Sequence, residues 1–154
     1  MAIRNVVKFG DPILSKKSRL VEKFDDRLFT LLDDMKDTLY QEKGAGLAAV
    51  QVGVLRRVVV IDVGDGYIEL VNPEITERSE ETQEETEGCL SIPGEYGITV
   101  RPQWVKVKAQ NREGKWVVYK GEGLKARCFC HELDHLDGIL YIDNAVEMYE
   151  DEVD

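Results

Sequence analysis

The sequence predicts an α+β fold in which mostly antiparallel sheets pack around a central helix that carries the motif His131-Glu132-Leu133-Asp134-His135. Two segments, one in the first third of the chain and one near its end, have the periodicity of helices. Between them, apolar segments separated by turn residues follow one another without intervening helices. Strands that come in a run favour an α+β architecture over an alternating α/β one.

The first helix is predicted over residues 25–42. Asp25 and Asp26 offer an N-cap, and the apolar side chains that follow lie on one helical face. These side chains are Leu28, Leu31, Leu32, Met35 and Leu39. Gly44 is expected to end the helix in a left-handed conformation.

The middle of the chain is predicted to form strands over 57–62, 67–71, 96–100, 105–110 and 116–120. Residues 111–114 indicate a hairpin turn between the last two strands. A second helix is predicted over 124–136, closed by Gly138. The acidic segment 77–87 shows no such pattern, and we expect most of it to be solvated surface.

The composition excludes several classes of protein. The chain has 154 residues, a formal net charge of -10, 43% hydrophobic and 32% charged residues. These values suit one domain over residues 1–154, and they suit neither a disordered chain nor a disulfide-rich scaffold. The short apolar runs and the absence of a signal peptide predict no membrane association. Three cysteines, an odd number, indicate a reducing, cytoplasmic compartment, and the acidic charge argues against general nucleic-acid binding.

Both histidines of the chain lie in one motif, at the spacing of metal ligands. On a helix, His131 and His135 lie one turn apart on the same face, so both imidazoles can bind one ion. Glu132 is offset by about 100° around the helix, where it can reach a water on the metal and act as a general base. The motif therefore predicts a metal site with an adjacent acid/base.

The third ligand does not follow from the motif, although a cysteine thiolate suits it best. Cys128 shares the histidine face but barely reaches the ion, and Cys130 points away from it, so both are most simply core residues. Cys89 lies far off in sequence and could be brought to the site by the fold. Glu147 or Glu150 as third ligand would indicate a small zincin-type endopeptidase, and four protein ligands would indicate a structural zinc site.

Three segments together resemble the peptide deformylase family. They are Gly44-Ala45-Gly46-Leu47-Ala48-Ala49-Val50-Gln51, Glu87-Gly88-Cys89-Leu90-Ser91, and His131-Glu132-Leu133-Asp134-His135 with Leu136-Asp137-Gly138. The resemblance spans essentially the whole chain, because residues 9–14 are also similar to the family's N-terminal strand and turn. It implies a metal-dependent hydrolase that removes the formyl group from the N-terminal formyl-methionine of new polypeptides and releases formate.

The resemblance also implies roles for individual residues. The metal ligands would be Cys89, His131 and His135, with a water in the fourth position. Glu132 would be the catalytic acid/base, and the Gln51 side-chain amide and the Leu90 backbone N–H would face the developing oxyanion. The peptide would bind as an added strand along Gly44, Ala45, Gly46 and Leu47. The methionine pocket is expected near Gly46, Leu90, Leu124 and Cys128. Glu87 would pair with Arg101 rather than belong to the solvated acidic segment.

The implied cofactor is one divalent metal ion per chain, namely ferrous iron (Fe2+) in the cell, with zinc (Zn2+), nickel (Ni2+) or cobalt (Co2+) accepted in purified protein. The implied partners are nascent N-formyl-methionyl peptides. Two departures from the family stand out. Cys130 occupies a position where many members carry Gln. The tail is acidic (Glu147, Glu150, Asp151, Glu152 and Asp154) where some members have a basic helix implicated in ribosome contact, which argues against ribosome docking by that route.

Overall fold

The structure is a computed structural model that describes residues 2–150. Within these residues, eight strands form two sheets with antiparallel pairing throughout. The larger sheet has the order β1-β2-β3-β6-β7, with β1 (Gly46–Ala48), β2 (Val58–Ile61), β3 (Ile68–Arg78), β6 (Trp104–Gln110) and β7 (Trp116–Glu122). The smaller sheet has the order β4-β5-β8, with β4 (Thr82–Cys89), β5 (Ile92–Pro102) and β8 (Glu147–Glu150). Two α-helices, α1 (Asp26–Gln41) and α2 (Leu124–Leu136), complete the predicted α+β fold.

The larger sheet lies between the two helices. Val58 and Val60 of β2 belong to the core formed with α1, whereas Val59 and Ile61 belong to the core formed with α2. This alternation follows from the two-residue period of a strand. Because both faces of β2 are buried, its sequence is continuously apolar, as in other strands that are covered on both sides.

Helix α2 is central, as predicted, because it also packs against β5 of the smaller sheet. The helix that carries the two histidines is therefore held from two sides. Ten of its thirteen residues are buried, including both histidines and Glu132. A helix buried on most of its circumference has little freedom to rotate, so its polar side chains keep a defined direction toward the space between the sheets.

Helix α1 begins as predicted, but the left-handed residue that follows its end is not the predicted one. The Asp25 carboxylate accepts the Leu28 N–H at 3.3 Å, which confirms the N-cap. The left-handed residue after the helix is Lys43, with φ 56°, and not Gly44. The Gly44 N–H still reaches back to the Leu39 carbonyl at 3.0 Å, so the helix is closed by a main-chain bond one residue earlier than a glycine cap would place it.

The beginning of the chain is tied to α1 through the buried Asp34. Its carboxylate accepts the Ala2 N–H at 2.8 Å and the Arg4 Nε–H at 3.0 Å. The Arg4 N–H is bonded to the Thr38 hydroxyl at 2.9 Å. Burial opposes ionisation of Asp34, but these bonds outweigh it and lower the pKa of the carboxyl.

Several boundaries predicted from the sequence are wrong. The acidic segment contains β4, whose glutamates are mostly exposed as expected but whose backbone pairs with β5 along its whole length. Strand β3 continues past residue 71 to Arg78 through an irregularity at Asn72, which has φ 51°. Strand β8 was not predicted. Residues 9–14 form a turn and a 3-10 helix (Pro12–Ser15) rather than a strand and turn.

Part of the predicted acidic tail, Asp151, Glu152 and Asp154, lies outside the described residues. In the part of the chain that the structure describes, no helix has both the length and the apolar character needed to cross a membrane.

Candidate metal centre

Three side chains converge between the two sheets. Cys89 ends β4, and His131 and His135 lie one turn apart on α2. Their candidate ligand atoms all lie within 4.8 Å of one another, and Cys89 Sγ is 3.4 Å from His135 Nε2. Among the described residues, these are the only three His, Cys, Asp or Glu side chains that converge in this way.

The chemistry of this donor set fits a divalent transition metal. One thiolate and two imidazoles suit zinc, iron, nickel and cobalt. Burial lowers the pKa of His135 well below its usual value, which favours the neutral imidazole that binds metals. Cys128 and Cys130 do not belong to the set. Both are buried and unpaired, and burial raises the pKa of their thiols, which for Cys130 reaches about 11.

Glu87 holds His131 in the orientation that a ligand needs. His131 Nδ1 is 2.8 Å from Glu87 Oε1, which leaves Nε2 with its lone pair facing the other two donors. Burial disfavours a charged Glu87. Its bonds to His131 and Arg101 outweigh the burial, so the pKa of this carboxyl is strongly lowered and the group is ionised.

Two arginines surround the same carboxylate. Arg101 donates to Glu87 through Nε at 2.8 Å and through Nη2 at 3.0 Å, which confirms the predicted pairing. Arg127 donates to it through Nη1 at 2.6 Å. The Thr99 hydroxyl bonds to both Glu87 and Arg127, and Asp134 accepts from Arg101 Nη1 at 2.8 Å.

The sequence interpretation missed Arg127, Thr99 and Asp134. A signal existed for Arg127, because it lies four residues before His131 and therefore on the same helical face. No comparable signal existed for Thr99, which is brought in by β5.

Glu132 faces the metal ligands from the cavity side of α2. Its Oε2 is 3.9 Å from His131 Nε2, and its Oε1 is buried and has no hydrogen-bond partner within residues 2–150. Burial raises the pKa of Glu132 to about 7. A carboxyl with this pKa exchanges protons readily at neutral pH, as a general acid/base requires.

Gln51 reaches the site from the 3-10 helix (Ala49–Val52) that follows β1. Its Oε1 accepts the Ala48 N–H at 3.0 Å. Its Nε2 donates to the Ser91 hydroxyl at 3.1 Å and lies 3.6 Å from Cys89 Sγ. The structure thus brings the predicted amide next to the predicted thiolate, although the two are remote in sequence.

A cavity of about 520 Å³ opens onto these groups. The predicted substrate residues that line it are Gly44, Ala45, Gly46, Leu90, Leu124 and Cys128. Leu47 does not line it, because its side chain is fully buried in the core shared with α1. Strand β1 is at the edge of the larger sheet, so its outer backbone groups are not used by a sheet neighbour.

Comparison with known proteins identifies the family. The sequence model of the polypeptide deformylase family matches residues 3–151, nearly the whole chain. The chain belongs to the polypeptide deformylase family. It is an enzyme that removes the N-formyl group from nascent polypeptides.

Curated relatives extend over the same length. The peptide deformylase of Caldicellulosiruptor bescii is 57% identical over 152 residues, which cover 99% of this chain and 91% of that protein. Peptide deformylase 1 of Clostridium acetobutylicum is 54% identical over 147 residues, which cover 96% of this chain and 97% of that protein.

Solved deformylase structures share the fold. The crystal structure of peptide deformylase from Thermotoga maritima superimposes with a TM-score of 0.92 at 43% identity, covering 94% of this chain and 99% of that chain. The Ehrlichia chaffeensis deformylase in complex with actinonin has a TM-score of 0.93 at 37% identity, covering 96% and 91%. The Cys/His/His convergence therefore occurs in a deformylase fold.

Proposed function

We propose that the deformylase reaction takes place at the Cys89, His131 and His135 site, within a single catalytic domain over residues 1–154. The observation that supports this most directly is the convergence of three metal donors beside the buried Glu132, at a cavity bordered by a free strand edge. A divalent ion held there supplies Lewis-acid chemistry, because it lowers the pKa of a bound water toward about 7 and polarises a carbonyl.

Glu132 is the proton carrier of the proposed mechanism. It accepts a proton from water as the water oxygen attacks the formyl carbon. It then delivers that proton to the departing amine nitrogen as the C–N bond breaks, so formate and a free N-terminus leave. Its position beside His131 Nε2, at 3.9 Å, and its burial on the cavity side of α2 support this role.

Gln51 and Leu90 stabilise the charge that develops on the formyl oxygen. The Gln51 side-chain N–H and the Leu90 backbone N–H donate to it. Removal of one such donor typically costs about 10²–10³ in rate.

The substrate is a nascent N-formyl-methionyl peptide, which binds as an additional strand along the free edge of β1. Its main chain pairs with the backbone of residues 44–47, and its methionine side chain enters the pocket near Gly46, Leu90, Leu124 and Cys128. Leu47 is the exception within this range, since its side chain belongs to the core shared with α1 and its main chain pairs with Val60 of β2.

The cellular metal is Fe2+, and the purified protein also accepts Zn2+, Ni2+ or Co2+. The soft donor set accommodates all four ions. A reduced thiolate and ferrous iron both need a reducing environment, so the proposed location is the cytoplasm. Contact with the ribosome through a basic C-terminal helix is not proposed, because Glu147 and Glu150 are acidic and form β8 instead.

Glu132→Gln tests the mechanism. We expect it to retain the metal and to lose about 10²–10⁴ in kcat on a formyl-Met peptide. An unchanged kcat would refute the assigned role. An N-acetyl-Met peptide measures selectivity for the formyl group, and a blocked internal peptide excludes endoproteolysis.

Paired cysteine variants test the ligand set. Cys89→Ser is expected to lose the metal, whereas Cys128→Ser, which removes a thiol one helical turn before His131, should keep it. Equal metal content in the two variants would contradict the assignment. Anaerobic purification with metal analysis, followed by activity with each of the four ions, tests the identity of the cellular metal.

A further inference from the structure

The orientation of the Gln51 carboxamide is determined by its surroundings. Its Oε1 accepts the Ala48 backbone N–H at 3.0 Å. A backbone N–H can only donate, so the oxygen of the amide must face Ala48 and the NH2 group must face the other way. The two N–H bonds of Nε2 then point to the Ser91 hydroxyl at 3.1 Å and toward Cys89 Sγ at 3.6 Å.

The two contacts of Nε2 are unequal. The bond to Ser91 has ordinary length, whereas the approach to Cys89 is long. Gln51 is 1% exposed and Ser91 is 0% exposed, so the hydrogen bond between them is shielded from solvent. Rotation of the amide would break the bond from Ala48 as well as the bond to Ser91. Ser91 is thus the acceptor that keeps one N–H engaged while the other remains directed at the metal centre.

The backbones of the two residues are held by one segment. The Val7 N–H donates to the Gln51 carbonyl at 2.7 Å, and the Phe9 N–H donates to the Ser91 carbonyl at 2.8 Å. Ser91 also belongs to the tight connection between β4 and β5, directly after Cys89 and Leu90. The same three residues therefore present a metal donor, a backbone N–H and the hydroxyl that bonds to Gln51.

We propose that Ser91 is a positioning residue for deformylation. Its hydroxyl holds one N–H of Gln51 so that the second N–H lies between the Cys89 sulfur and the site of the developing oxyanion. Among residues 2–150, this second N–H contacts the Cys89 sulfur at a long distance, so a bond to the oxyanion can be stronger in the transition state than the contact it replaces. The inference rests on the proposed role of Gln51 as an oxyanion donor.

Ser91→Ala tests the inference, with Ser18→Ala as the matched control. Ser18 is also buried, but its hydroxyl has no hydrogen-bond partner among the residues that the structure describes. We expect Ser91→Ala to lower kcat on a formyl-Met peptide by about tenfold or more, because a misaligned donor loses much of its effect. KM should stay within about twofold, since substrate binding uses the β1 edge. Ser18→Ala should match the wild type.

A second pair of variants separates the hydroxyl from the shape of the side chain. Ser91→Thr keeps the acceptor, whereas Ser91→Val has the same branched shape without it. Both add a methyl group to a filled site, so any packing cost is shared. We expect the threonine variant to retain a kcat several-fold above that of the valine variant. Equal kcat values in the two variants, or full activity of Ser91→Ala, would overturn the inference.

Spectroscopy adds a readout that does not depend on turnover. In 15N-labelled, Zn2+-loaded protein, the Gln51 side-chain N–H that donates to Ser91 should exchange slowly with solvent, and this exchange should be faster in Ser91→Ala and unchanged in Ser18→Ala. In the Co2+-loaded enzyme, the sulfur-to-metal charge-transfer band should shift in Ser91→Ala, because the N–H contact to Cys89 changes. Unchanged spectra in Ser91→Ala would count against positioning.

Gln51→Ala distinguishes a failure of the proposed oxyanion role of Gln51 from a failure of the proposed positioning role of Ser91. If Gln51→Ala keeps full activity, the proposed oxyanion role fails and the inference fails with it. If Gln51→Ala loses activity while Ser91→Ala does not, only the inference about Ser91 fails.

Discussion

Replacement of Glu87 by glutamine tests the residues that orient the metal ligands without changing the ligands themselves. The Glu87 carboxylate accepts bonds from His131, Arg101, Arg127 and Thr99. Glutamine has nearly the same shape but carries no charge, and its NH2 group would face donors instead of accepting from them. The substitution therefore removes the shared counter-ion of two buried guanidinium groups while it leaves Cys89, His131 and His135 in place.

The expected loss of folding free energy follows from the hydrogen-bond partners that remain around the two arginines. Arg101 keeps Asp134 as a partner at 2.8 Å. Arg127 loses its carboxylate and, among the described residues, keeps the Thr99 hydroxyl and two long main-chain contacts at 3.3 and 3.5 Å. Leaving one member of a buried ion pair uncompensated costs about 3–5 kcal/mol. Loss of the carboxylate behind a metal-bound imidazole weakens metal binding by about 10–100-fold, which corresponds to about 1.4–2.8 kcal/mol.

Two measurements check these values. Urea unfolding of the metal-loaded protein gives the free energy of unfolding, and competition with a chelator gives the metal affinity. Glu85→Gln is the control, because Glu85 lies two residues earlier on β4 with an exposed side chain; it should change neither quantity appreciably. If Glu87→Gln unfolds at the wild-type urea concentration and binds metal with wild-type affinity, the network neither stabilises the fold nor orients His131, and the reasoning is refuted.

Three further predictions concern close packing and pH. A Cβ at Gly46 would lie 2.7 Å from Glu132 Cγ. Gly46→Ala should therefore retain the metal but lower kcat by roughly 10², because the acid/base is displaced. Normal turnover would contradict the placement of Glu132 against Gly46. A Cβ at Gly121 would lie 2.7 Å from the buried Phe129 ring, so Gly121→Ala should cost about 1–3 kcal/mol in thermal unfolding, and an unchanged Tm would count against it. Because the Asp34 pKa is lowered in the folded state, its contribution to stability is present above the unfolded value of about 3.9 and is lost as pH falls through the folded pKa. Asp34→Asn should therefore destabilise the protein by about 1–3 kcal/mol at pH 7 and by much less once the pH has fallen through the lowered folded pKa; a pH-independent difference would exclude the ionic contribution.

Some predictions from the sequence succeeded because they depend on local geometry. The helical period of α1 and the aspartate before it determine a helix and its start whatever else the chain does. The four-residue spacing of His131 and His135 places two imidazoles on one face as soon as α2 forms. The continuous apolar sequence of β2 likewise indicates a strand covered on both sides.

Other elements could not be predicted, because they exist through pairing across long sequence separations. The sequence of β4 indicates a solvated acidic segment, because most of its glutamates point to water. The hydrogen bonds that make it a strand run from its backbone to β5, which lies later in the chain. Strand β8 is short and exposed, and it forms only because β5 offers an edge. The end of α1 was predicted to within one residue, but the left-handed residue that follows it is Lys43 rather than Gly44.

The sequence by itself determined that this protein has a two-histidine metal motif on a helix within an α+β fold, and its motifs together indicated the family. The family resemblance also implied Cys89 as the third ligand, but the two-histidine motif alone did not, and the tertiary structure is what brings Cys89 to the histidines. It alone showed Arg127 at Glu87 and Ser91 at Gln51. The physical reason is that helix geometry is set by neighbours within one turn, whereas these contacts depend on how two sheets close on α2 and exclude water from the groups between them.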